Sequence, residues 1–223
     1  MRVLIGCERS GIVRRAFSDQ WHYAISCDTQ AAEDGQHRSH WKMDVFKAMQ
    51  PNCWDLIILH PPCQFLAVSG NAHHADTAQR AAAVKWTVSL FEAACRVSPR
   101  VALENPVGVL SSKWRKPSQY IQPYKFGEDA SKKTGLWLYG LPKLRPTEYI
   151  DGSWACCGAR LELDDKFSCP NCEGEKKAKR IWANQTPSGQ NKLGPSPTRA
   201  IDRARTYQGI ADAMANQWGI YND

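Results

Sequence analysis

Apolar residues in the first two thirds of the chain fall into short unbroken runs separated by polar turns. The runs are RVLIGC (2–7), YAISCD (23–28), WDLIILH (54–60), RVALEN (100–105) and GLWLYG (135–140). Each is strand-length and rich in β-branched or large apolar side chains, and none alternates cleanly with polar residues. Such runs predict strands covered on both faces. Between them the period changes. Ile12, Val13, Ala16 and Phe17 keep helical spacing after Ser10, a capping residue type. Ala81, Val84, Val88, Phe91 and Cys95 repeat at three- and four-residue steps, which predicts a long amphipathic helix. Asp44-Val45-Phe46 follows a polar loop, and Pro106 is expected to stop the strand at 100–105. Apolar strands alternating with helices predict an α/β domain with a mainly parallel sheet, which binds ligands beyond the carboxyl ends of its strands. Glu8, Asp28, Asp44, His60–Cys63 and Glu104-Asn105 all stand at those ends.

After Pro142 the pattern breaks. Four of the nine cysteines, Cys156, Cys157, Cys169 and Cys172, cluster in a stretch with few apolar residues, and 183–199 is a Pro/Gly/Ser-rich loop. Cys-Pro-x-Cys resembles a metal knuckle, and four thiolates suit tetrahedral Zn²⁺. The adjacent pair Cys156-Cys157 departs from the usual spacing, which leaves the fourth ligand open. Helical spacing returns at the end, where Ile210, Met214 and Trp218 share a face.

The 223 residues carry 29 Lys+Arg against 22 Asp+Glu, a net +7. The excess concentrates in Lys176, Lys177, Lys179, Arg180, Lys192, Arg199, Arg203 and Arg205. A basic stretch beside Pro and Gly suits contacts to nucleic-acid phosphates. No apolar run approaches a membrane span, and the first residues lack the long apolar stretch of an export signal. A cytoplasmic monomer is expected, with cysteines serving metal or catalysis rather than disulfides.

His60-Pro61-Pro62-Cys63-Gln64 is a strand end followed by a stiff loop, because each proline fixes φ. It holds a thiol in one place. Taken alone, it is also an ordinary place for a buried cysteine. Glu104-Asn105-Pro106 closes the next strand, where a carboxyl group could act as general acid to a substrate nitrogen. Together, about forty residues apart, the two motifs resemble those of the DNA cytosine-C5 methyltransferase family, with Pro106 where that family has valine. The chain looks closest to the family's short phage and prophage proteins.

The resemblance implies a class I methyltransferase-like, Rossmann-like sheet with a small zinc-ribbon-like insertion. The implied parts are a catalytic α/β domain (1–145), a zinc-bearing target-recognition insertion with the basic loop (146–205) and a C-terminal helix packed back on the domain (206–223). It implies Cys63 as nucleophile, Glu104 as proton donor and Asn105 as a positioning residue. Cys7, Glu8, Ser10, Gly11, Asp28, Asp44, His60 and Pro61 would line the site for S-adenosylmethionine or a modified derivative. DNA is the implied partner, with Lys133 standing near the base in place of a family arginine. The family's Phe-x-Gly-x-Gly loop is reduced here to Cys7-Glu8-Arg9-Ser10-Gly11, and its Gln-x-Arg-x-Arg segment is missing. Transfer of another group, and a silent DNA-binding module on this fold, therefore stay open beside methyl transfer to cytosine.

Overall fold

The computed structural model describes residues 1–68, 77–156 and 180–220. Its strands are β1 (Arg2–Gly6), β2 (Tyr23–Asp28), β3 (His40–Lys42), β4 (Leu56–Leu59), β5 (Val101–Pro106), β6 (Gln119–Ile121), β7 (Thr134–Tyr139), β8 (Ser153–Trp154) and β9 (Arg180–Ile181). Its helices are α1 (Ile12–Ser18), α2 (Val45–Ala48), α3 (Ala78–Val97), α4 (Leu110–Lys113), α5 (Arg199–Ala204) and α6 (Gln208–Trp218).

Seven strands form one sheet in the order β3-β2-β1-β4-β5-β7-β6. β3, β2, β1, β4 and β5 pair in parallel, and β7 runs antiparallel to both β5 and β6. This is a Rossmann-like, methyltransferase-like sheet, as expected from the sequence. Chain order reverses between β1 and β4. The crevice at that switch point opens beside the carboxyl ends of both strands, where Gly6 and His60 meet through a His60 N–H to Gly6 carbonyl bond of 2.9 Å.

Alternate residues on each strand feed two cores. Val3, Ile5, Leu56, Ile58, Ala102 and Leu136 pack with α1 and α6 on one face; Leu4, Ile57, Leu59, Val101 and Leu103 pack with α3 on the other. The terminal helix buries Ile210, Met214 and Trp218 as its spacing predicts.

Three expectations need correction. Pro106 does not stop β5 but is its last residue, paired with Thr134. Of the stripe predicted for α3, Phe91 is buried and Val84 and Cys95 pack against the core, but Ala81 is exposed, and the buried face also takes in Arg80, Thr87, Leu90 and Ala94. This face turns the Arg80 guanidinium toward the loop after β4. The N-terminus of α1 is not capped by Ser10 alone. Its N-cap is Gly11 in the left-handed region (φ 70°), and the buried Glu8 carboxylate accepts from the Val13 and Arg14 amides at 2.8 and 3.3 Å.

The first turn of α6 lies directly on the Phe126 carbonyl, and the Gly209 amide donates to Glu128 Oε1 at 3.0 Å. A Cβ at position 209 would run into that carbonyl. Gly209→Ala should therefore destabilise the protein by about 1–3 kcal/mol, although alanine is the better helix former. Urea unfolding followed by circular dichroism measures this, and a gain in stability would contradict the packing described.

Candidate active site

β4 ends against β5, and the loop that follows is fastened on three sides. Asn105 Nδ2 donates to the Pro61 carbonyl at 3.1 Å, from a side chain that is itself buried. The Cys63 carbonyl accepts from the Leu66 and Ala67 amides at 3.0 and 2.9 Å, which closes a turn immediately after the thiol. Arg80 of α3 straps that turn through Nε to the Phe65 carbonyl at 2.8 Å. Its far side runs beside Val107–Val109, with Val109 N–H to Leu66 O at 2.9 Å and Val68 N–H to Val107 O at 3.2 Å. Gly108 permits this approach, since a Cβ there would strike the Leu66 carbonyl. Neither Arg80 nor Gly108 was foreseen from the sequence; Gly108, two residues after the Glu-Asn-Pro motif, was the available signal.

Glu104 is buried at the end of β5. Its Oε2 meets His60 Nδ1 at 3.2 Å. Burial would raise its pKa, but the His60 hydrogen bond, the Lys132 and His60 charges and the Thr134 hydroxyl outweigh that and hold the carboxyl below its ordinary value. Cys63 is half-buried. Burial and then the Glu104 charge push its thiol up, partly offset by Lys132 and Arg203. The resting site thus holds a neutral thiol beside an ionised carboxylate.

Lys132 rather than Lys133 is the cation at this site. Its amide donates to Gln122 Oε1 at 2.9 Å and its ammonium to the Arg205 carbonyl at 3.2 Å. Lys133 lies over the Tyr120 ring, 4.6 Å from its centroid. Asn184 fixes the same segment by bonding both the amide and the carbonyl of Ser131. Two adjacent lysines before β7 cannot be told apart by sequence spacing; it is the charge of Lys132 that acts on Cys63 and Glu104.

The residues expected to hold the cofactor divide into two groups. His60 and Pro61 belong with Glu104 and Asn105 through the bonds above. Cys7, Glu8, Ser10, Gly11, Asp28 and Asp44 gather at the ends of β1 to β3. Burial, Asp28, Cys27 and Asp44, in that order, raise the Cys7 thiol strongly. Asp28 accepts from the Gln30 amide on Oδ1 at 2.9 Å, and Asp44 caps α2 through Oδ1 to the Phe46 amide at 2.8 Å. Among the described residues the second oxygen of each carboxylate is uncommitted. The glycine-loop position is closed: Ser10 Oγ bonds Glu8 at 3.2 Å, and Asp34, paired to Arg14 and Arg15, fills the space above Gly11.

Among the described residues no three His, Cys, Asp or Glu side chains gather as a metal group. Cys156 is exposed; Cys157, Cys169, Cys172, Lys176, Lys177 and Lys179 lie outside the described residues. Of the remaining basic candidates, Arg180 stands 3.9 Å from Asp151, and Arg199 and Arg203 lie on α5. Arg205 is paired to Glu33 at 2.9 Å and Asp202 at 3.5 Å, so its charge is largely answered within the protein. No helix among the described residues is long and apolar enough to cross a membrane.

No family model and no curated protein matches the chain. Among solved structures it is similar to the Dnmt2 methyltransferase of S. pombe, with a TM-score of 0.41 and 14% identity. The match covers 64% of this chain and spans half of that one.

The electrostatic coupling at Cys63 has a definite sign. Glu104→Gln removes the anion that raises the thiol, so alkylation of Cys63 by iodoacetamide at pH 7 should quicken by about 3–10-fold. Lys132→Met should slow it. Peptide mapping by mass spectrometry isolates Cys63 from the other cysteines.

Proposed function

We propose that the protein is a DNA cytosine-C5 methyltransferase. The observation that carries this reading is that Glu104, held by His60 near the end of β5, acts electrostatically on Cys63 in the loop after β4, whose backbone is tied by Asn105 and Arg80. Cytosine C5 is a poor nucleophile. Addition of the Cys63 thiolate at C6, with a proton placed on N3, converts the ring to an enamine whose C5 is nucleophilic. Glu104 is the group that carries the proton at N3. After C5 has reacted, loss of its proton restores the C5=C6 bond and expels Cys63. Asn105 keeps the loop in register by holding the Pro61 carbonyl, and Lys132 steadies the thiolate as it forms. The base must leave the duplex stack to reach this crevice.

S-adenosylmethionine, when bound, supplies an electrophilic methyl group. The donor set at the β1–β3 ends suits its ribose and its cationic sulfonium better than a phosphate. Asp28 offers a free carboxylate oxygen for ribose hydroxyls, and Asp44 and Glu8 add negative charge rather than positive. The closed loop above Gly11 favours a second reading, in which cofactor binding is altered and the chain is a DNA-binding module. Asp28→Ala should weaken binding of S-adenosylhomocysteine at least about 10-fold if Asp28 holds the ribose. Isothermal calorimetry decides, and absence of binding by the unaltered protein would favour the second reading.

The remaining assignments rest on the sequence. Cys156, Cys157, Cys169 and Cys172 would hold one structural Zn²⁺, and Arg199 and Arg203 with the lysines at 176–179 would contact DNA phosphates. Metal analysis should give about one Zn²⁺ per chain. For the reaction itself, a duplex containing 5-fluorocytosine incubated with S-adenosylmethionine should trap Cys63 covalently, because once C5 carries both the transferred methyl group and fluorine it has no proton to lose. Cys63→Ser should form no adduct. Trapping of an RNA duplex in place of the DNA one would overturn the substrate assigned here, and equal trapping by Cys63→Ser would overturn the nucleophile.

A further inference from the structure

His60 is set unlike a residue whose only task is to end a strand. Its side chain is 9% exposed, its Nδ1 lies 3.2 Å from Glu104 Oε2, and its Nε2 is buried with no hydrogen-bond partner among the described residues. The backbone of His60 is tied to Gly6 on β1, so the ring is held at the switch point between β1 and β4. A buried imidazole against a buried carboxylate is a pair that can keep or release one proton. Imidazole is the side chain whose ordinary titration lies in the physiological range.

The reading of Cys63 and Glu104 creates a demand that this pair can meet. Glu104 has to present a proton to N3, yet its surroundings favour its ionised form. Those surroundings include Lys132 and Thr134 from the segment entering β7, and Cys63 from the loop after β4; Arg203 of α5 acts on the thiol beside them. A carboxylate kept ionised needs a neighbour that delivers the proton when the base is in place.

We propose that His60 is the proton store of Glu104, a positioning residue that loads the carboxyl group through Nδ1 and takes the proton back when the adduct collapses. This rests on Cys63 and Glu104 acting as described above. On addition, the thiol gives its proton to solvent, the protonated His60 ring loses its Nδ1–H proton as Oε2–H forms, and the Glu104 O–H proton passes to N3 while the thiolate sulfur bonds to C6. On elimination, the N3 proton returns to Glu104 and then to Nδ1, the C5 proton leaves to solvent, and the thiolate departs and takes a proton back from solvent. No proton is gained or lost by the pair over the cycle.

The test is the pH dependence of single-turnover adduct formation with the 5-fluorocytosine duplex and saturating S-adenosylmethionine. The unaltered protein should show two limbs, one from the thiol and one from the His60–Glu104 pair. His60→Asn keeps a donor near Oε2 but cannot store a proton. It should lose one limb, and its rate at pH 7 should fall about 100-fold. Retention of both limbs overturns the proposal, whatever happens to the rate. A second measurement is independent of turnover: ¹⁵N NMR titration of the His60 ring in the unaltered protein and in Glu104→Gln. A shared proton requires the His60 midpoint to fall in the variant, and an unmoved midpoint overturns the proposal. If the unaltered protein forms no adduct at any pH, the reading of Cys63 fails, and that failure is distinct from two limbs persisting in His60→Asn.

Discussion

The seam between the ends of β4 and β5 fixes the chemistry of this molecule. Two side-chain bonds cross it, His60 to Glu104 and Asn105 to the Pro61 carbonyl. Both need β4 and β5 in their parallel register, with Leu59 opposite Leu103. A slip by one residue would turn Glu104 to the other face of the sheet and leave a buried carboxylate without partners. The apolar cores therefore do more than stabilise. By locking Leu56–Leu59 and Val101–Leu103 they determine where a thiol and a carboxyl group stand.

Charge is divided across the carboxyl edge of the sheet. Around β1 to β3 the influence on Cys7 is acidic, from Asp28 and Asp44. Around β4, β5 and β7 Lys132 acts on both Cys63 and Glu104 and Arg203 on Cys63, opposing the stronger influence of Glu104 on the thiol. That second side is assembled from segments remote in sequence. Asn184 anchors Ser131, the Lys132 ammonium rests on the Arg205 carbonyl, and Arg205 is paired to Glu33 in the loop above Gly11. The C-terminal segment thus links the two halves of the crevice.

Much of the fold was legible because buried parallel strands must be continuously apolar. Five of the strands could be read directly, as could the face of α6 carrying Ile210, Met214 and Trp218. β3 and β6 are three residues each and left too little pattern to see. The stripe of α3 was legible in Val84, Phe91 and Cys95 but incomplete, because spacing among apolar residues cannot report that Arg80 turns inward to bond carbonyls. At the site, Cys63, Glu104 and Asn105 were readable from residue type and position at strand ends. Lys132 was not, since sequence spacing does not distinguish it from Lys133. His60 was read from the resemblance as a cofactor residue, and its bond to Glu104 could not be foreseen because that partner lies 44 positions away on the neighbouring strand. The bonds of the Glu8 carboxylate to the amides of α1 were likewise not visible in the sequence.

The central claim is that Cys63 and Glu104 together activate cytosine at C5, and proton exchange at C5 tests it most directly. Exchange needs only reversible addition of Cys63 and protonation at N3, not group transfer. A DNA duplex carrying tritium at cytosine C5 should release label to water with the unaltered protein, and release should be lost in both Cys63→Ser and Glu104→Gln. Label retained with the unaltered protein, or released equally by Cys63→Ser, would contradict the account.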